Sequence, residues 1–131
     1  MRISLIIPAL NEAESLGFLL NEVPLGLVHQ VIVVNNGSTD NTAEVAQAAG
    51  AVVIHEPRRG YGFACAAGTA AAAGDVLVFL DGDGSFVPGE LINLLTPLAQ
   101  GEADLALGSR MRRNSVVMPF HQRFGNLLFA W

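Results

Sequence analysis

Residues 76–83 read VLVFLDGD. Five apolar residues in a row predict a strand that is buried on both faces, as strands of parallel sheets are. The run ends on Asp81 and Asp83, which flank a single glycine. Two carboxylates this close repel each other unless a cation lies beside them, and such oxygen ligands suit Mg²⁺ or Mn²⁺. The alternative is an acidic turn, because Asp and Gly are common turn residues.

Strand and helix patterns alternate along the chain around this stretch. Further apolar β-runs lie at 3–7, 31–34 and 51–54, and a strand is also predicted around 103–107. The first strand is expected to end at Pro8. The alternation predicts an α/β fold with a doubly wound, mostly parallel sheet flanked by helices. Sheets of this kind bind ligands at the carboxyl ends of their strands.

The helices are predicted from apolar spacing and from residues that end helices. In the first, Leu16, Leu19, Leu20 and Val23 follow one another at helical spacing, and Pro24 ends the helix. The other helices are expected to end at Ala49, with Gly50 behind it, and at Gly74, and to run around 90–98.

Composition limits the classes of function. The chain has 131 residues, of which 51% are hydrophobic and 15% charged, with a formal net charge of −5. We therefore expect one domain covering 1–131 and no nucleic-acid partner, because a basic footprint is missing overall. The lone Cys65 excludes an internal disulfide and is read as a packing residue. No run reaches the roughly 18–20 apolar residues of a spanning helix. A cytoplasmic protein is expected, and a peripheral position at the inner face of the membrane stays open.

Four polar clusters follow the predicted strands, at 8–12, 35–40, 81–85 and 108–110. In the second, Asn36 both donates and accepts hydrogen bonds, so it could read the edge of a nucleobase. A turn with an N-cap at Thr39 or Asp40 explains the same residues. In the first cluster Glu12 could accept hydrogen bonds from a base, or the cluster is simply a helix start.

The arginines are the candidate phosphate ligands. Arg59 opens the glycine-rich sequence RGYG at 59–62, which lacks the spacing of the known phosphate-binding loops. It could still clamp a nucleotide through Arg59 and backbone N–H groups, or be a flexible loop. Towards the end of the chain, phosphate binding and a solvated basic surface are both open for Arg110, Arg112, Arg113 and Arg123.

Five stretches occur in an order that resembles one family. They are IPALNE at 7–12, VVNNGSTD at 33–40, RGYG at 59–62, DGD at 81–83 and GSR at 108–110. Together they resemble the family 2 glycosyltransferases of the GT-A fold, and most of all the polyprenyl-phosphate group of the dolichol-phosphate mannose synthase type. The stretch 118–126 is similar to the acceptor-side segment of that group. The resemblance implies transfer of a sugar from a nucleotide-sugar donor, UDP- or GDP-linked, to a lipid phosphate at the membrane surface.

The resemblance also implies roles for individual residues, with Mg²⁺ or Mn²⁺ as the cofactor. Asn36 would contact the base, and Asp83 and Arg110 would be catalytic. Arg110 and Arg123 would face donor or acceptor phosphate. The metal residues would be Asp81, Asp83 and Ser85. The nucleotide pocket would comprise Pro8, Ala9, Asn11, Glu12, Asn36, Arg59, Gly60, Asp81 and Gly82.

Three departures from the family pattern bear on function. Asn35 and Asn36 stand where many relatives have one or two aspartates, and Ser85 stands where a metal-binding glutamine is common. The family's catalytic domain also continues beyond residue 131, so we expect 111–131 to be the start of a truncated acceptor-side segment. Its apolar end, 127–131, could support a homo-oligomer.

Two other functions compete with the enzyme. The first is a module that binds nucleotide-sugar and metal without transfer. The second is a sugar-1-phosphate nucleotidylyltransferase, which the chemistry of 8–12 disfavours because the basic, glycine-rich phosphate loop is missing there.

Overall fold

The computed structural model describes residues 1–108. The chain divides into two compact units, Met1–Leu91 and Ile92–Trp131. Each unit is described by itself, and the described part of the second is 92–108. The predicted acceptor-side segment 111–131 lies outside the described residues.

The first unit is built on a four-stranded sheet. Its strands are β1 (Ile3–Ala9), β2 (Gln30–Asn35), β3 (Val52–His55) and β4 (Val76–Phe79). All neighbours are parallel, and their order is β3-β2-β1-β4. The chain winds outward from β1 to β3 and then crosses to the other side of β1. This confirms the predicted doubly wound α/β fold, and it places the switch point between β1 and β4.

Four helices occur where the sequence predicts them, although the third ends at Ala71 and not at Gly74, because Ala72 is already extended. They are α1 (Ala13–Glu22), α2 (Thr42–Ala48), α3 (Tyr61–Ala71) and α4 (Leu91–Ala99), with a short 3₁₀ helix at Pro88–Glu90. Leu16, Leu19 and Leu20 are buried on α1, as their spacing predicts. Gly50 follows α2 with a φ of 85°, as expected of a glycine behind a helix end. None of the helices within 1–108 is long and apolar enough to cross a membrane.

The core lies on both faces of β1, whose seven residues are all buried. Helix α3 approaches this strand closely at Gly68, where a Cβ atom would lie 2.3 Å from Cγ2 of Ile6. Only a glycine permits this approach, so the small residues of α3 set how near the helix lies to the sheet.

Pro8 does not end β1, as the sequence had suggested, since the strand continues to Ala9. Ile6 O accepts a hydrogen bond from Leu80 N on the β4 side, and Ala9 O accepts one from Asn36 N on the β2 side. Because alternate residues face alternate neighbours, Pro8 faces the β4 side. Pairing with β4 has ended by then, at Ile6 and Phe79. The missing N–H of proline therefore removes no bond from the sheet.

The strand predicted around 103–107 was wrong. Those residues are irregular in the described part of the second unit. Leu105 and Leu107 are 75% and 64% exposed. A strand needs a neighbour to satisfy its backbone groups, and residues 92–108 supply none. The apolar residues alone were therefore insufficient to make a strand.

Candidate functional site

Three polar loops of the first unit meet at the carboxyl ends of β1, β2 and β4. We call them the β1 loop (10–12), the β2 loop (36–41) and the β4 loop (80–85). The first is hydrogen-bonded to the second, and α1, which follows the first, is hydrogen-bonded to the third. The predicted gathering of these clusters at one sheet edge is thereby confirmed. Of the fourth cluster, Gly108 belongs to the second unit, and residues 109–110 lie outside the described part of the chain.

Asn11 joins the β1 loop to the β2 loop. Its side-chain oxygen accepts hydrogen bonds from Thr39 N at 2.7 Å, Thr39 Oγ1 at 3.2 Å and Asp40 N at 3.3 Å. Its own N–H donates to Ser38 Oγ at 3.0 Å. Asn11 has a φ of 53°, a conformation that asparagine tolerates better than most residues. These bonds fix the two loops relative to each other.

Asp40 and Thr42 tie the start of α1 to α2. The Asp40 carboxylate accepts hydrogen bonds from Ala13 N at 3.3 Å and Thr42 N at 3.0 Å, and also from the Thr42 hydroxyl. The hydroxyl bond is the main reason why the pKa of Asp40 is lowered. Thr42 Oγ1 in turn accepts from Glu12 N at 3.1 Å. The N-cap residue of α2 is Asn41, not Thr39 or Asp40 as considered above.

Asn36 holds the loop at 56–60 in place. Its side chain is buried, and Nδ2 donates to Glu56 O at 2.9 Å and to Arg58 O at 2.8 Å. Oδ1 accepts from Gly60 N at 3.0 Å. Both amide hydrogens are thus in use. Contact between Asn36 and a base stays a prediction. Such a contact would use the second lone pair of Asn36 Oδ1.

The two arginines of the 56–60 loop are placed differently. Arg58 pairs with the buried Glu56 at 2.8 Å, and its guanidinium lies 4.6 Å from the ring centre of Phe63. The hydrogen bond from Arg58 lowers the pKa of Glu56. Nε of Arg59 lies 3.8 Å from where a Cβ on Gly37 would be. The side chain of Arg59 therefore lies beside the β2 loop, whereas the guanidinium of Arg58 contacts Glu56 and Phe63.

The β4 loop carries both features proposed for it, a carboxylate pair and a turn. The Asp83 carboxylate accepts a hydrogen bond from Ser85 N at 2.9 Å, and Gly84 has a φ of 77°. Gly82 O accepts a hydrogen bond from the hydroxyl of Ser15 on α1 at 2.7 Å. The two aspartates thus stand on a backbone that is fixed both within the loop and from α1.

Glu12 points at this acidic loop. A Cβ on Gly82 would lie 2.5 Å from Glu12 Oε2. That oxygen is buried and has no hydrogen-bond partner among residues 1–108. The pKa of Glu12 is raised, first by burial and then by the charges of Asp83 and Asp81. The Glu12 carboxylate is therefore repelled by both aspartates at the switch point.

Two polar residues that the sequence analysis gave no role also contact the β4 loop. Ser15 binds Gly82 O, as above. Tyr61 lies near Asp81 and Cys65, and burial, followed by the charges of Cys65 and Asp81, raises the pKa of its hydroxyl to about 12. Tyr61 stands inside the RGYG sequence, so that motif was the available signal. A serine in the first turn of a helix gives no such signal.

The donor set fits a hard divalent cation only in part. Carboxylate oxygens are suitable ligands, but residues 1–108 contain no group of three His, Cys, Asp or Glu that holds an ion unaided. An ion here would complete its shell with diphosphate oxygens and water, which is how Mg²⁺ usually binds. An open cleft of about 610 Å³ beside these carboxylates offers the space, and its lining includes Asn11, Glu12, Ser15, Asp40 and Asp83.

A doubly wound sheet with carboxylates at its switch point defines a class of nucleotide-binding α/β proteins. The model of the family described as "Glycosyl transferase family 2" matches residues 4–129. The chain therefore belongs to glycosyltransferase family 2, as its motifs predicted.

Individual relatives agree with this assignment. An uncharacterised glycosyltransferase of Mycobacterium tuberculosis is 40% identical over 129 residues, which is 98% of this chain and 58% of the relative. A dolichol-phosphate mannosyltransferase of Pyrococcus furiosus is 32% identical over 133 residues, covering 94% and 38%.

Solved structures confirm the GT-A fold. The glucosyl-3-phosphoglycerate synthase of Mycobacterium tuberculosis, in complex with Mn²⁺, UDP-glucose and phosphoglyceric acid, superposes with a TM-score of 0.70. The match has 36% sequence identity and covers 77% of this chain and 40% of that one. The chain thus spans at most 58% of the length of these relatives.

Proposed function

We propose that this chain binds a nucleotide-sugar together with Mg²⁺ or Mn²⁺ and transfers the sugar to a phosphate-bearing acceptor. The observation that carries the proposal is the convergence of Glu12, Asp81 and Asp83 at the switch point between β1 and β4. Glu12 Oε2 is buried there without a hydrogen-bond partner among the described residues, the charges of both aspartates act on it, and Glu12 and Asp83 line one open cleft. Carboxylates that raise one another's pKa at a ligand-binding edge, as both aspartates do for Glu12, favour a cation and its anionic ligand.

The donor nucleotide would lie along the carboxyl ends of β1 and β2. Asn11 and Asn36 shape that surface by fixing the β1 loop, the β2 loop and the 56–60 loop. Arg59 stands at its edge as the cation available to a phosphate. The nucleotide pocket we propose comprises Pro8, Ala9, Asn11, Glu12, Asn36, Arg59, Gly60, Asp81 and Gly82.

The metal would be held by Asp81 and Asp83, with the hydroxyl of Ser85 reaching it directly or through water. A divalent ion supplies charge that stabilises the departing nucleoside diphosphate. Asp83 is the catalytic carboxylate in this proposal, because its oxygens are exposed beside the cleft. Ser15 holds the loop on which these ligands stand, and Tyr61 lies near Asp81.

The acceptor we favour is a polyprenyl or dolichyl phosphate, which the protein would bind at the inner face of the membrane. The motif set and the similarity to the mannosyltransferase of Pyrococcus furiosus support it. In this proposal Arg110 and Arg123 bind donor or acceptor phosphate, with Arg110 also catalytic, and 127–131 supports self-association. The 36% identity to a synthase solved with phosphoglyceric acid favours a second candidate, a small phosphorylated acid as acceptor.

The test is a transfer assay that offers both acceptors. The protein is incubated with Mn²⁺ and radiolabelled UDP-glucose or GDP-mannose, with either polyprenyl phosphate in vesicles or 3-phosphoglycerate. Label in the lipid supports the first acceptor, and label in the soluble acid supports the second. Donor binding without transfer to either acceptor would establish a binding module instead. Asp83→Asn should abolish transfer, and the matched control Asp104→Asn, an exposed aspartate of the second unit, should not.

A further inference from the structure

Ser15 has a hydroxyl with one proton and two nearby acceptors. Gly82 O lies at 2.7 Å and Glu12 O at 3.3 Å. Glu12 O already accepts the helical hydrogen bond of Leu16 N at 2.9 Å. The distance to Gly82 O is shorter, and among residues 1–108 no backbone N–H donates to it, so both observations assign the proton to Gly82 O. The hydroxyl of Ser15 therefore makes a tertiary bond between residues 67 positions apart in the sequence.

This bond holds the β4 loop at its centre. Gly82 O belongs to the backbone between the two aspartates, so anchoring it fixes the segment from which both carboxylates project. The loop also passes close to α1 at its next glycine, because a Cβ on Gly84 would lie 3.8 Å from Cβ of Ser15. Within the β4 loop, the hydrogen bond from Ser85 N to Asp83 stabilises the turn. The contacts with Ser15 also fix the position of the loop relative to α1.

The start of α1 is in turn fixed to the β2 loop. Glu12 N donates a hydrogen bond to Thr42 Oγ1, and Ala13 N donates one to the Asp40 carboxylate. Asn11 Oδ1 accepts one from Thr39 N. A continuous set of hydrogen bonds thus runs from the β4 loop through Ser15 and α1 to the β2 loop. The β4 loop carries the proposed metal ligands, and the β2 loop borders the proposed nucleotide pocket.

We infer that Ser15 is a positioning residue that couples metal binding to nucleotide binding, by holding the Asp81–Asp83 loop in register with the nucleotide pocket. This rests on the proposed function. Because coupling between two ligands is reciprocal, one number measures it: the factor by which saturating Mn²⁺ tightens the binding of UDP. Ser15 lines the cleft, but its hydroxyl proton is engaged by Gly82 O, so its loss should lower that factor and change the metal-free affinity for UDP by less than about twofold.

The experiment titrates UDP into the protein by calorimetry, with and without saturating MnCl₂. The coupling factor of Ser15→Ala should fall about fivefold, the effect of one neutral hydrogen bond, while its affinity for UDP without metal stays within twofold. Ser15→Thr keeps the hydroxyl and should restore the factor. Thr69→Ala is the matched control, because that hydroxyl bonds to Cys65 O of its own helix at 2.8 Å. If Ser15→Ala does not fold, Ser15→Cys, a weak donor of similar size, takes its place.

Three results would overturn the inference. One is a coupling factor in Ser15→Ala equal to that of the wild type. Another is an equal loss of UDP affinity with and without Mn²⁺, which is what a merely structural role produces. The third is failure of Ser15→Thr to exceed Ser15→Ala. A wild-type protein whose binding of UDP ignores Mn²⁺ would instead refute the proposed function, together with the inference built on it.

Discussion

The carboxylate of Glu12 lies directly against the backbone of Gly82, between the two aspartates of the β4 loop. A Cβ at position 82 would come within 2.5 Å of Glu12 Oε2. A residue from the β1 loop thus takes the space that a side chain on the β4 loop would fill. Glycine at position 82 is what allows the third carboxylate to approach the other two.

Gly82→Ala should displace the Glu12 carboxylate with little effect on stability. The clash is with the far end of a flexible side chain, which can rotate away, so we expect a change in unfolding free energy of less than about 1 kcal/mol. Binding of UDP in the presence of Mn²⁺ should weaken by about tenfold, roughly 1.4 kcal/mol, because the carboxylates are rearranged. Calorimetry and thermal melts measure both. Gly89→Ala, where a Cβ meets nothing within 4 Å, is the control, and equal losses in both variants would refute the explanation.

Glu12→Gln should stabilise the ligand-free protein above the ordinary pKa of glutamate. The pKa of Glu12 is raised from 4.5 in the folded protein, so the folded state holds this proton more tightly than the unfolded state does. Stability from that group is complete below pH 4.5 and is lost as pH rises through the folded pKa. Glutamine carries no such penalty. In thermal melts from pH 4 to pH 8, the melting temperature of the variant should rise relative to that of the wild type as pH increases. A difference in melting temperature that stays constant or shrinks would contradict a raised pKa of Glu12 in the folded protein.

Asn36→Ala should destabilise the first unit by about 2–3 kcal/mol, because it strands the carbonyls of Glu56 and Arg58 and the N–H of Gly60. Chemical denaturation measures the change in unfolding free energy. Asn93→Ala, on an exposed position of α4, serves as the control and should change it by less than about 0.5 kcal/mol. A loss at Asn36 no larger than at Asn93 would mean that the amide does not hold the 56–60 loop.

Gly68→Ala and Gly62→Ala form a matched pair within α3. At Gly68 a Cβ would lie 2.3 Å from Ile6 Cγ2, whereas at Gly62 it meets nothing within 4 Å. We expect the first to destabilise the protein by about 1–3 kcal/mol through overpacking. The second should be neutral or stabilise it by up to about 1 kcal/mol, because alanine favours helix. Denaturant melts decide, and the reverse order would contradict the close packing of α3 on β1.

The sequence predicts those parts of the fold that depend on periodic or local signals. The spacing of Leu16, Leu19 and Leu20 marked the buried face of α1, and the apolar run before Asp81 marked β4. Strand ends placed three polar clusters at one edge because parallel strands share a direction. A prediction made from a single residue was less secure. Pro8 was taken as the end of β1, but it faces the side where pairing with β4 has already ended, so the strand continues past it.

The finer geometry of the site depends on contacts between residues far apart in the chain. Nothing local in the sequence indicates that Ser15 bonds to Gly82 or that Glu12 faces the β4 loop. From the sequence, the stretch around Asn36 suited either reading a base or forming a turn with an N-cap, and only the positions of Glu56, Arg58 and Gly60 reveal that Asn36 braces a loop. Three of the family motifs lie where the loops meet at the sheet edge, but the motifs do not state which residues bind ligand and which hold others in place.

In the proposed function, Asp81 and Asp83 bind a donor nucleotide through a divalent cation. The most direct measurement is the dissociation constant of UDP-glucose and of a GDP-sugar, by calorimetry, at Mn²⁺ concentrations from zero to saturation. We predict that one of these donors binds at least about tenfold more tightly when Mn²⁺ is saturating, and that Asp81→Asn with Asp83→Asn removes this dependence. Affinity for both donors that is independent of Mn²⁺, or a dependence that survives the double substitution, would contradict the account.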